Sequence, residues 1–445
     1  MSTSSPTDVE AAGLEGIPYE FDLIHTDNGV GSDFIQSSVM ESYYPTAFTP
    51  STKNPISWFL RGTEYMFDFS QHYVYAKGEV VGTTNVKVGE GPELKTAKDD
   101  DDFGICQNFW HSLFSSCNVE INDTAVSMET GNYPYIAFLQ NATNWSSDQI
   151  ATLGVCSGWA KTPANRKALM LSGTNEIAGT FQLKCPLFTR KKNLYTFMNV
   201  KITLNRVTNP EFFLKWNNTT CPNGYNFVLK EIILYVRKQK AKDSYTHFME
   251  TILESGKFIR YHYKDCRVFT KTYAGFGNEL IEDDIFHGIL PSFAVFGFVE
   301  NDSFSGSRVA DPFLFKTVNN SIQEVGLFVN GLPYPRPPIR TEFATKDTYE
   351  AYFVLMTAFQ GVENPDPPMI SKADFDGGAL TLFAFNLAVD QNSISVSAFN
   401  QPASVRLQVK FKQSSTTTSY TLVVFFELNA MMAFNKTRQV LFHAK

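Results

Sequence analysis

A cluster of acidic residues and one histidine opens the stretch EDDIFHGILPSFAVFGFVENDSFSG, residues 282–306. Asp283 and Asp284 precede His287 by four and three positions, so the three side chains could bind a metal ion or transfer a proton. With Glu282 they could also supply the carboxylate pair of a glycoside hydrolase. Adjacent residues of a strand point to opposite faces, however, so at most one of Asp283 and Asp284 could face a given cleft. The pattern therefore favours loop charges over a catalytic site.

Other residues with catalytic or metal-binding chemistry lack the spacing that such sites need. The run DDDD, residues 99–102, could ligate Ca²⁺ or Mg²⁺, but four like charges without spaced partners are typical of a solvated loop. The seven histidines include no H-x-H or H-E-x-x-H pattern, and His111 is expected to pack against the aromatic residues of FWHSLF. Nucleophile elbows, P-loops and dinucleotide glycine patterns do not occur. The sequence thus predicts no catalytic, cofactor-binding or metal-binding residue and no enzyme.

Composition limits the partners and the compartment. Net charge is −7 and the pI is about 5.6, so the folded body has no general positive field for direct, sequence-specific binding of nucleic acid. The basic runs RKK (190–192) and RKQKAK (237–242) are predicted to be solvated. Without a secretory signal or an apolar run of about 18 to 20 residues, we expect a soluble protein with no membrane span, made in a reducing compartment. The cysteines, which form no C-x-x-C pair, are then predicted to be reduced thiols: Cys106, Cys117, Cys156, Cys185, Cys221 and Cys266.

Most of the chain has the hydrophobic pattern of β-strands. VEIN (119–122), VKITLN (200–205) and VRLQVKF (405–411) alternate apolar and polar residues with period two, which gives each strand one core face. EIILYV (231–236) and LVVFFEL (422–428) are continuously apolar, as expected of strands buried on both faces. The 40 Phe and 19 Tyr residues favour sheets with thick aromatic cores. The sequence therefore predicts an all-β sandwich architecture with few, short helices.

Two changes in composition predict the domain boundaries. The N-terminal 50 residues are rich in Ser, Thr, Pro and Gly and are interpreted as an arm. The clearest amphipathic helix, DSYTHFMETILESG, lies between two strand-rich halves, and Gly256 is positioned to end it. The predicted units are an N-terminal arm (1–50), a first sandwich (51–241), a linker helix (242–257) and a second sandwich (258–445).

One local pattern occurs in both halves. NVEINDTAV (118–126) and GLFVNGLPY (326–334) each read strand, turn and strand, and their Asn-Asp and Asn-Gly pairs suit a type I′ hairpin, whose central residues need positive φ. An amphipathic helix follows each hairpin. The two units of hairpin and helix lie about half a chain length apart, which indicates two copies of one β-sandwich. The predicted buried stripes are Tyr135, Phe138 and Leu139 in the first helix and Tyr349, Tyr352, Phe353 and Met356 in the second.

Seven segments together carry a resemblance to a known family: FWHSLFSSCNVEINDTAVS, NYPYIAFLQNATNW, GTFQLKCPLFTRKKNLYTFMNVKITLNR, EIILYVRKQK, DIFHGILPSFAVFGFVENDSFSGS, LFVNGLPYP and LTLFAFNLAVD. In this order they resemble the hexon-like major capsid proteins of Polinton (Maverick) elements and adintoviruses. More distantly, the chain looks like virophage capsid proteins and adenovirus hexons. The resemblance spans about residues 56–445. It departs from the family at Asp284, where Asn is frequent, and at the Asn-Asp pair of the first hairpin.

The resemblance implies a double jelly-roll, two eight-stranded sandwiches in tandem. It implies a major capsid protein whose homotrimers have a pseudo-hexameric outline and tile an icosahedral capsid, with neighbouring capsomers and a penton or minor capsid protein as partners. The chain would be made in the host cytoplasm and located in the virion capsid, with the nucleus as a candidate place of assembly. A glycan-binding or glycan-cleaving double β-sandwich is the alternative, because paired jelly-rolls also occur in carbohydrate-active proteins.

Placed in the second sandwich, the acidic stretch acquires an expected structure. We expect a polar loop through His287 and Gly288, a buried aromatic strand from Phe293 to Val299, and an exit loop at residues 301–306. The carboxylates are then loop charges or subunit contacts.

Overall fold

The structure is a computed structural model that describes residues 34–50, 55–83, 94–96, 103–126, 131–159, 176–188, 192–216, 225–358, 368–388, 402–414 and 418–442. The strands before residue 242 are β1 Ile35–Tyr43, β2 Ile56–Leu60, β3 Met66–Thr83, β4 Leu94–Thr96, β5 Phe103–Ile105, β6 Phe114–Ile121, β7 Thr124–Ala125, β8 Glu176–Phe181, β9 Val200–Arg206, β10 Leu214–Trp216 and β11 Tyr225–Ala241.

The strands after residue 242 are β12 Ile259–Tyr273, β13 Glu279–Ile289, β14 Phe293–Glu300, β15 Ile322–Val329, β16 Leu332–Pro333, β17 Ile339–Arg340, β18 Phe383–Asn386, β19 Pro402–Phe411, β20 Tyr420–Phe434 and β21 Val440–Phe442. The α-helices are α1 Phe109–Ser112, α2 Tyr133–Asn144, α3 Ser147–Gln149, α4 Asp243–Glu254, α5 Asn301–Gly306, α6 Tyr349–Thr357 and α7 Lys372–Asp376. A π-helix, Ile150–Gly154, continues α3, and a 3₁₀ turn spans Pro210–Phe212.

The same sheet topology occurs twice. In the first half, β1-β11-β3-β8 form one antiparallel sheet and β2-β9-β6-β7 form the other. In the second half, β12-β20-β14-β18 and β13-β19-β15-β16 repeat this order position for position. Two four-stranded sheets of this kind are the layers of one jelly-roll. The predicted all-β double jelly-roll is confirmed.

Short strands extend this repeated frame. In the described part of the chain, β4 pairs with β3, β17 with β15 and β21 with β20, while β5 and β10 form a separate ribbon. Every strand pair found there joins two strands of the same half. The long helix α4 lies between the halves, and Gly256 follows it with φ +83°, the left-handed conformation that ends a helix.

The hydrophobic pattern explains where the strands lie. In β19, Val405, Leu407, Val409 and Phe411 are buried while the residues between them are partly exposed, as the period of two predicts. β14 is apolar and buried at every position from Phe293 to Val299, because neighbouring strands and helices cover both of its faces. Both predicted strands are confirmed.

Both hairpin turns have the predicted backbone geometry. The φ angles are 45° and 62° at Asn122 and Asp123, and 50° and 84° at Asn330 and Gly331. Positive φ at both central residues is the mark of a type I′ turn, which matches the twist of the flanking strands. The Asn-Asp pair therefore adopts the same turn as the Asn-Gly pair.

Strand β1 corrects the predicted N-terminal arm. Residues 35–43 fall within the arm of residues 1–50, yet they pair along β11 as the edge strand of the first sandwich. Their sequence, IQSSVMESY, has no clean alternation of apolar and polar residues, and most of these side chains are exposed. The boundary at residue 50 is therefore wrong, because a strand of the first sandwich lies before it.

The acidic stretch also differs from its predicted structure. The expected polar loop through His287 and Gly288 is the second part of β13, which pairs with β19 around an irregularity between Glu282 and Phe286. The expected exit loop at residues 301–306 is helix α5. Backbone pairing with a neighbouring strand thus overrides the local preference of Asp and Gly for loops.

Helices α2 and α6 lie where the sequence predicts them, but the predicted stripe is wrong for α6. Its buried residues are Ala351 and Leu355, whereas Tyr349 is 70% and Phe353 is 57% exposed. In α2, every residue from Tyr133 to Thr143 is buried. Both faces of α6 are apolar, and periodicity alone did not identify which one faces the core.

The predictions for cysteines and basic runs need correction. Cys117 of β6 forms a disulfide with Cys185, in the segment that follows β8, so these two are not free thiols. Within RKQKAK (237–242), the side chain of Lys238 is largely buried and pairs with Glu41 of β1, because β11 lies between two other strands. Residues 99–102 and 190–191 of the other charged runs lie outside the described residues.

The disulfide predicts a pattern of thiol reactivity. Iodoacetamide is expected to modify the exposed Cys156 in the native protein, and to reach Cys117 and Cys185 only after reduction and unfolding. Peptide mass spectrometry with and without reductant checks this. Modification of Cys117 in unreduced, denatured protein would contradict the pairing.

Candidate functional site

The carboxylates of the acidic stretch each have their own partners. Glu282 accepts hydrogen bonds from Lys271 Nζ and Tyr273 Oη, both at 2.7 Å. Asp284, with φ 55° in the irregular part of β13, accepts a hydrogen bond from Ser404 Oγ at 2.5 Å. These contacts hold β13 against its neighbours and leave neither carboxylate unpaired.

The remaining members of the stretch face solvent. The side chain of Asp283 is 75% exposed and lies 3.9 Å from Nε of Arg406, and His287 is exposed. Within the described ranges, no group of three or more His, Cys, Asp and Glu side chains could hold a metal ion. The structure therefore does not assemble the metal or acid-base site that the sequence spacing allowed.

His111 occupies the core of the first sandwich, as predicted. Its ring lies 5.1 Å from Phe181 and 5.7 Å from Tyr133, and the Tyr133 hydroxyl lies 2.9 Å from Nδ1. Burial, reinforced by the positive charge of Lys184, lowers the pKa of His111 well below its usual value. His111 is therefore a neutral core residue.

Helix α2 forms the centre of the junction between the two sandwiches. The Phe138 ring stacks on Phe313 with ring centroids 4.5 Å apart, and Tyr135 packs edge to face on Phe313 at 5.5 Å. Gln140 donates from its amide to the sulfur of Cys266 in β12 at 3.0 Å. The three aromatic side chains and Cys266 belong to one continuous apolar core, and Gln140 is buried beside them. The junction is therefore a packed core, which fixes the two sandwiches side by side.

A polar network closes one end of the junction. Arg438, in the turn between β20 and β21, pairs with Glu250 of α4 at 2.5 Å, and its guanidinium lies 4.9 Å from the centre of the Tyr195 ring. Asn122, in the first hairpin turn, donates from Nδ2 to the carbonyl oxygen of Arg438 at 2.8 Å. The backbone N–H of Tyr195 donates to the hydroxyl of Tyr261 in β12 at 2.9 Å. One arginine thus joins the first sandwich, the linker helix and the second sandwich.

A second set of polar contacts links the 3₁₀ turn region of the first half to the segment after α5. Lys215, which is almost fully buried, donates from Nζ to the carbonyl oxygen of Ser307 at 2.6 Å. Arg308 pairs with Glu211 at 2.6 Å. Together with the aromatic centre, these contacts make the junction extensive.

Two groups of exposed apolar side chains lie outside the junction. The first, called the β1 patch, consists of Met40 and Tyr44, which are 43% and 68% exposed and lie an even number of positions apart, so that they share one face of the strand. The second, called the α6 patch, consists of Leu332, Tyr349 and Phe353, which are 71%, 70% and 57% exposed. Large contiguous apolar surfaces are typical of interaction sites, so these two groups are the candidates for one.

The solved structures with similar folds are viral. The mavirus major capsid protein aligns with a TM-score of 0.54 at 10% identity, over 99% of this chain and 95% of that one. The Faustovirus major capsid protein aligns with a TM-score of 0.53 at 9% identity, over 96% and 94%. A chain of the PBCV-1 virus capsid aligns with a TM-score of 0.58 at 8% identity, over 95% and 99%. The chain has the fold of viral major capsid proteins.

Sequence similarity to known proteins is low. No family model matches the chain. The uncharacterized protein F54H12.2 of Caenorhabditis elegans is 20% identical over 347 residues, which are 77% of this chain and 82% of that protein. The assignment of the fold therefore depends on the three-dimensional likeness.

The residues of the junction were not identified from the sequence. NYPYIAFLQN predicts a helix with one apolar stripe, whereas α2 is buried on all sides because the second sandwich covers its outer face. Its high aromatic content was the available signal. Arg438 lies in an ordinary polar turn, NKTR, and nothing in that pattern indicates a contact with the other half.

Proposed function

We propose that this chain is a major capsid protein, a structural subunit that self-assembles into a viral capsid and has no catalytic activity. The observation that carries the proposal is the repeated jelly-roll: one chain contains the same eight-strand arrangement twice, joined by a buried junction. The likeness to viral capsid chains extends over nearly the full length of both partners in each comparison, which supports it.

The assembled unit that suits this architecture is a homotrimer. Three chains arranged around a threefold axis would alternate first and second sandwiches, so that six similar sandwiches form a ring with a pseudo-hexameric outline. Contacts between unlike surfaces of identical chains close such a ring. Pseudo-hexameric trimers can then tile the faces of an icosahedral shell, with neighbouring capsomers and a penton or minor capsid protein as further partners.

The finer assignments rest on the ordered sequence motifs. They favour a major capsid protein of a Polinton (Maverick) element or adintovirus, made in the host cytoplasm and located in the virion capsid, with the nucleus as the candidate place of assembly. We divide the chain into a first jelly-roll that includes β1 and ends at residue 241, a linker helix at 242–257 and a second jelly-roll from 258. The net charge of −7 argues against direct, sequence-specific binding of nucleic acid by the body of the subunit. Among the described residues, no helix is both long and apolar enough to span a membrane.

The alternative, a glycan-binding or glycan-cleaving protein, receives no support from the acidic stretch. A glycoside hydrolase needs two carboxyl groups that face one sugar across a cleft. Here Glu282 is paired with Lys271, Asp284 with Ser404, and Asp283 lies exposed on the surface. A glycan array and a hydrolysis assay on the parent protein test this alternative, and no binding or turnover is expected.

Light scattering tests the capsid proposal directly. The purified protein is expected to form a particle of about 150 kDa, three times the chain mass of 50.1 kDa. Electron micrographs of the same sample are expected to show threefold capsomers. A monomer at high protein concentration that does not assemble when penton or minor capsid partners are added would contradict the proposal.

A further inference from the structure

Two corresponding helices of the two sandwiches are covered to very different extents. α2 lies between β7 and β8, and α6 lies between β16 and β18, which are the counterparts of β7 and β8 in the repeated topology. Every residue of α2 from Tyr133 to Thr143 is buried, whereas Ala351 and Leu355 are the buried residues of α6. The helix at this position of the fold is therefore covered in the first sandwich and exposed in the second.

The second sandwich of the same chain covers α2. Phe313 packs on Phe138, and Gln140 reaches Cys266 in β12. Strand β12 is the first strand of its sandwich, so its counterpart in the first sandwich is β1. Within one chain, the helix of the first sandwich thus packs on the first strand of the second.

The counterpart of that covered strand is itself exposed. In β12, Tyr261 and Tyr263 are buried, and the Tyr261 hydroxyl hydrogen-bonds with the first sandwich. In β1, by contrast, Met40 is 43% exposed, and Tyr44 just after the strand is 68% exposed. The helix and the strand that correspond to the packed pair α2 and β12 are therefore both exposed: α6 on the second sandwich and β1 on the first.

We infer that the α6 patch of one chain packs against the β1 patch of a second copy. This inference rests on the proposed trimer. This contact repeats between chains the packing of α2 on β12 within a chain. It joins unlike surfaces, so each chain offers one α6 patch and one β1 patch, and three such contacts close a ring.

The hairpin turns support the same arrangement. Asn122 and Asn330 occupy equivalent places, and each accepts a backbone hydrogen bond at Oδ1, from Asn199 at 2.8 Å and from Ser404 at 3.0 Å. Asn122 also reaches across the junction to Arg438, as described above. The second hairpin carries Leu332, 71% exposed, beside its turn. The first hairpin contacts the other sandwich, whereas the second presents Leu332 on the surface, where a neighbouring chain can reach it.

The α6 patch is held in place for such a contact. Arg336, just beyond the second hairpin, forms an ion pair with Glu350 of α6, so hairpin and helix are neighbours. On its other side, Lys372 lies over the Tyr349 ring at 4.6 Å. A surface whose side chains are already ordered loses less conformational entropy on binding.

Charge-introducing variants test the seam. Phe353→Asp and Met40→Asp each bury a carboxylate in the inferred contact, so each chain is expected to elute as a monomer of about 50 kDa with the circular dichroism spectrum of the parent. Its melting temperature is expected to be lower than that of the parent, because association stabilises the folded chain. Tyr349→Lys and Tyr44→Lys are second variants of the two patches with the same expected result. Leu153→Asp is the control, because Leu153 is 60% exposed and lies on the π-helix, outside both patches; it is expected to remain a trimer.

Mixing the two variants tests whether the contact joins unlike surfaces. The Met40→Asp chain keeps its α6 patch and the Phe353→Asp chain keeps its β1 patch, so a mixture can form one intact contact but cannot close a ring. We expect a 1:1 dimer of about 100 kDa in the mixture, twice the chain mass, and monomers in each separate sample.

The outcomes separate this inference from the proposed function. If the parent is a trimer and the folded patch variants remain trimers, the seam lies elsewhere and the inference is wrong while the capsid proposal stands. The same holds if Leu153→Asp dissociates the trimer and the patch variants do not. If the parent itself is a monomer under all conditions, the proposed trimer and the seam both fail.

Discussion

Phe296→Asp is expected to abolish the folded protein and, with it, every trimer. Phe296 is fully buried in β14, between β20 and β18, and its ring stacks on Phe383 and Phe385 with centroids 5.4 and 6.2 Å apart. Removal of a buried phenyl group costs about 3 to 5 kcal/mol, and an unpaired buried carboxylate adds several more. Because the total stability of a protein is about 5 to 15 kcal/mol, the loss is comparable with the whole.

The controls for this prediction lie in the same segment of chain. Phe296→Leu keeps an apolar side chain and is expected to cost about 1 to 3 kcal/mol, so the protein still folds. His287→Ala changes an exposed side chain of β13 and is expected to leave assembly nearly intact. Expression of each variant, followed by gel filtration of the supernatant, gives the comparison. If Phe296→Asp formed a folded trimer and His287→Ala did not, the placement of β14 in the core would be wrong.

The fold was predictable where local pattern and tertiary environment agree. β19 alternates with period two because one face meets the core, and the Asn-Asp and Asn-Gly turns have the backbone that their residue types allow. β1 was missed because an edge strand with little buried surface has no hydrophobic pattern to reveal it. The second part of β13 was missed because its pairing with β19 is set by distant residues.

The exposed apolar surfaces were harder to predict than the core. A periodic pattern shows that α6 has apolar residues at helical spacing, but Ala351 and Leu355 share the helix with Tyr349 and Phe353. The apolar pattern predicts that the larger side chains face the core, whereas the structure leaves Tyr349 and Phe353 on the surface. A surface that another molecule covers has the same composition as a core, so a single sequence does not distinguish them.

A buried histidine makes the first sandwich sensitive to acid. His72 of β3 lies in the core, where Nδ1 contacts the carbonyl oxygen of Phe69 and Nε2 accepts a hydrogen bond from the backbone N–H of Leu183 at 2.8 Å. This arrangement satisfies a neutral ring, because it needs one donor and one acceptor. Protonation of Nε2 would direct an N–H group at the N–H of Leu183. The charged form of the ring therefore does not fit the site.

The charges around His72 have opposing effects. Burial is the main cause that lowers the pKa of His72, from 6.5 to about 4, and the positive charge of Lys184 lowers it further. Asp68, which is itself buried and pairs with Arg237, raises it. His111 lies in the same core, where burial and the charges of Lys184 and His72 lower its pKa as well.

The sign of the pH effect follows from these shifts. A histidine whose pKa is lower in the folded than in the unfolded state favours folding while it is neutral, so its contribution is complete above pH 6.5 and is lost as the pH falls toward 4. For His72 the loss of folding free energy, relative to pH well above 6.5, is about 2 kcal/mol at pH 5 and about 3 kcal/mol below pH 4. His111 acts in the same direction. The urea concentration at the midpoint of unfolding is therefore expected to be lower at pH 5 than at pH 7.5.

The variant His72→Gln separates this effect from general acid sensitivity. Glutamine can donate to Phe69 and accept from Leu183 but does not titrate, so the variant is expected to lose about 2 kcal/mol less than the parent between pH 7.5 and pH 5. Its stability at pH 7.5 is expected to be lower than that of the parent, because the ring packs on Phe188 at 4.7 Å. His287→Gln is the matched control at an exposed position and should keep the pH dependence of the parent. Identical pH dependence for the parent and both variants would show that protonation of His72 does not limit stability in acid.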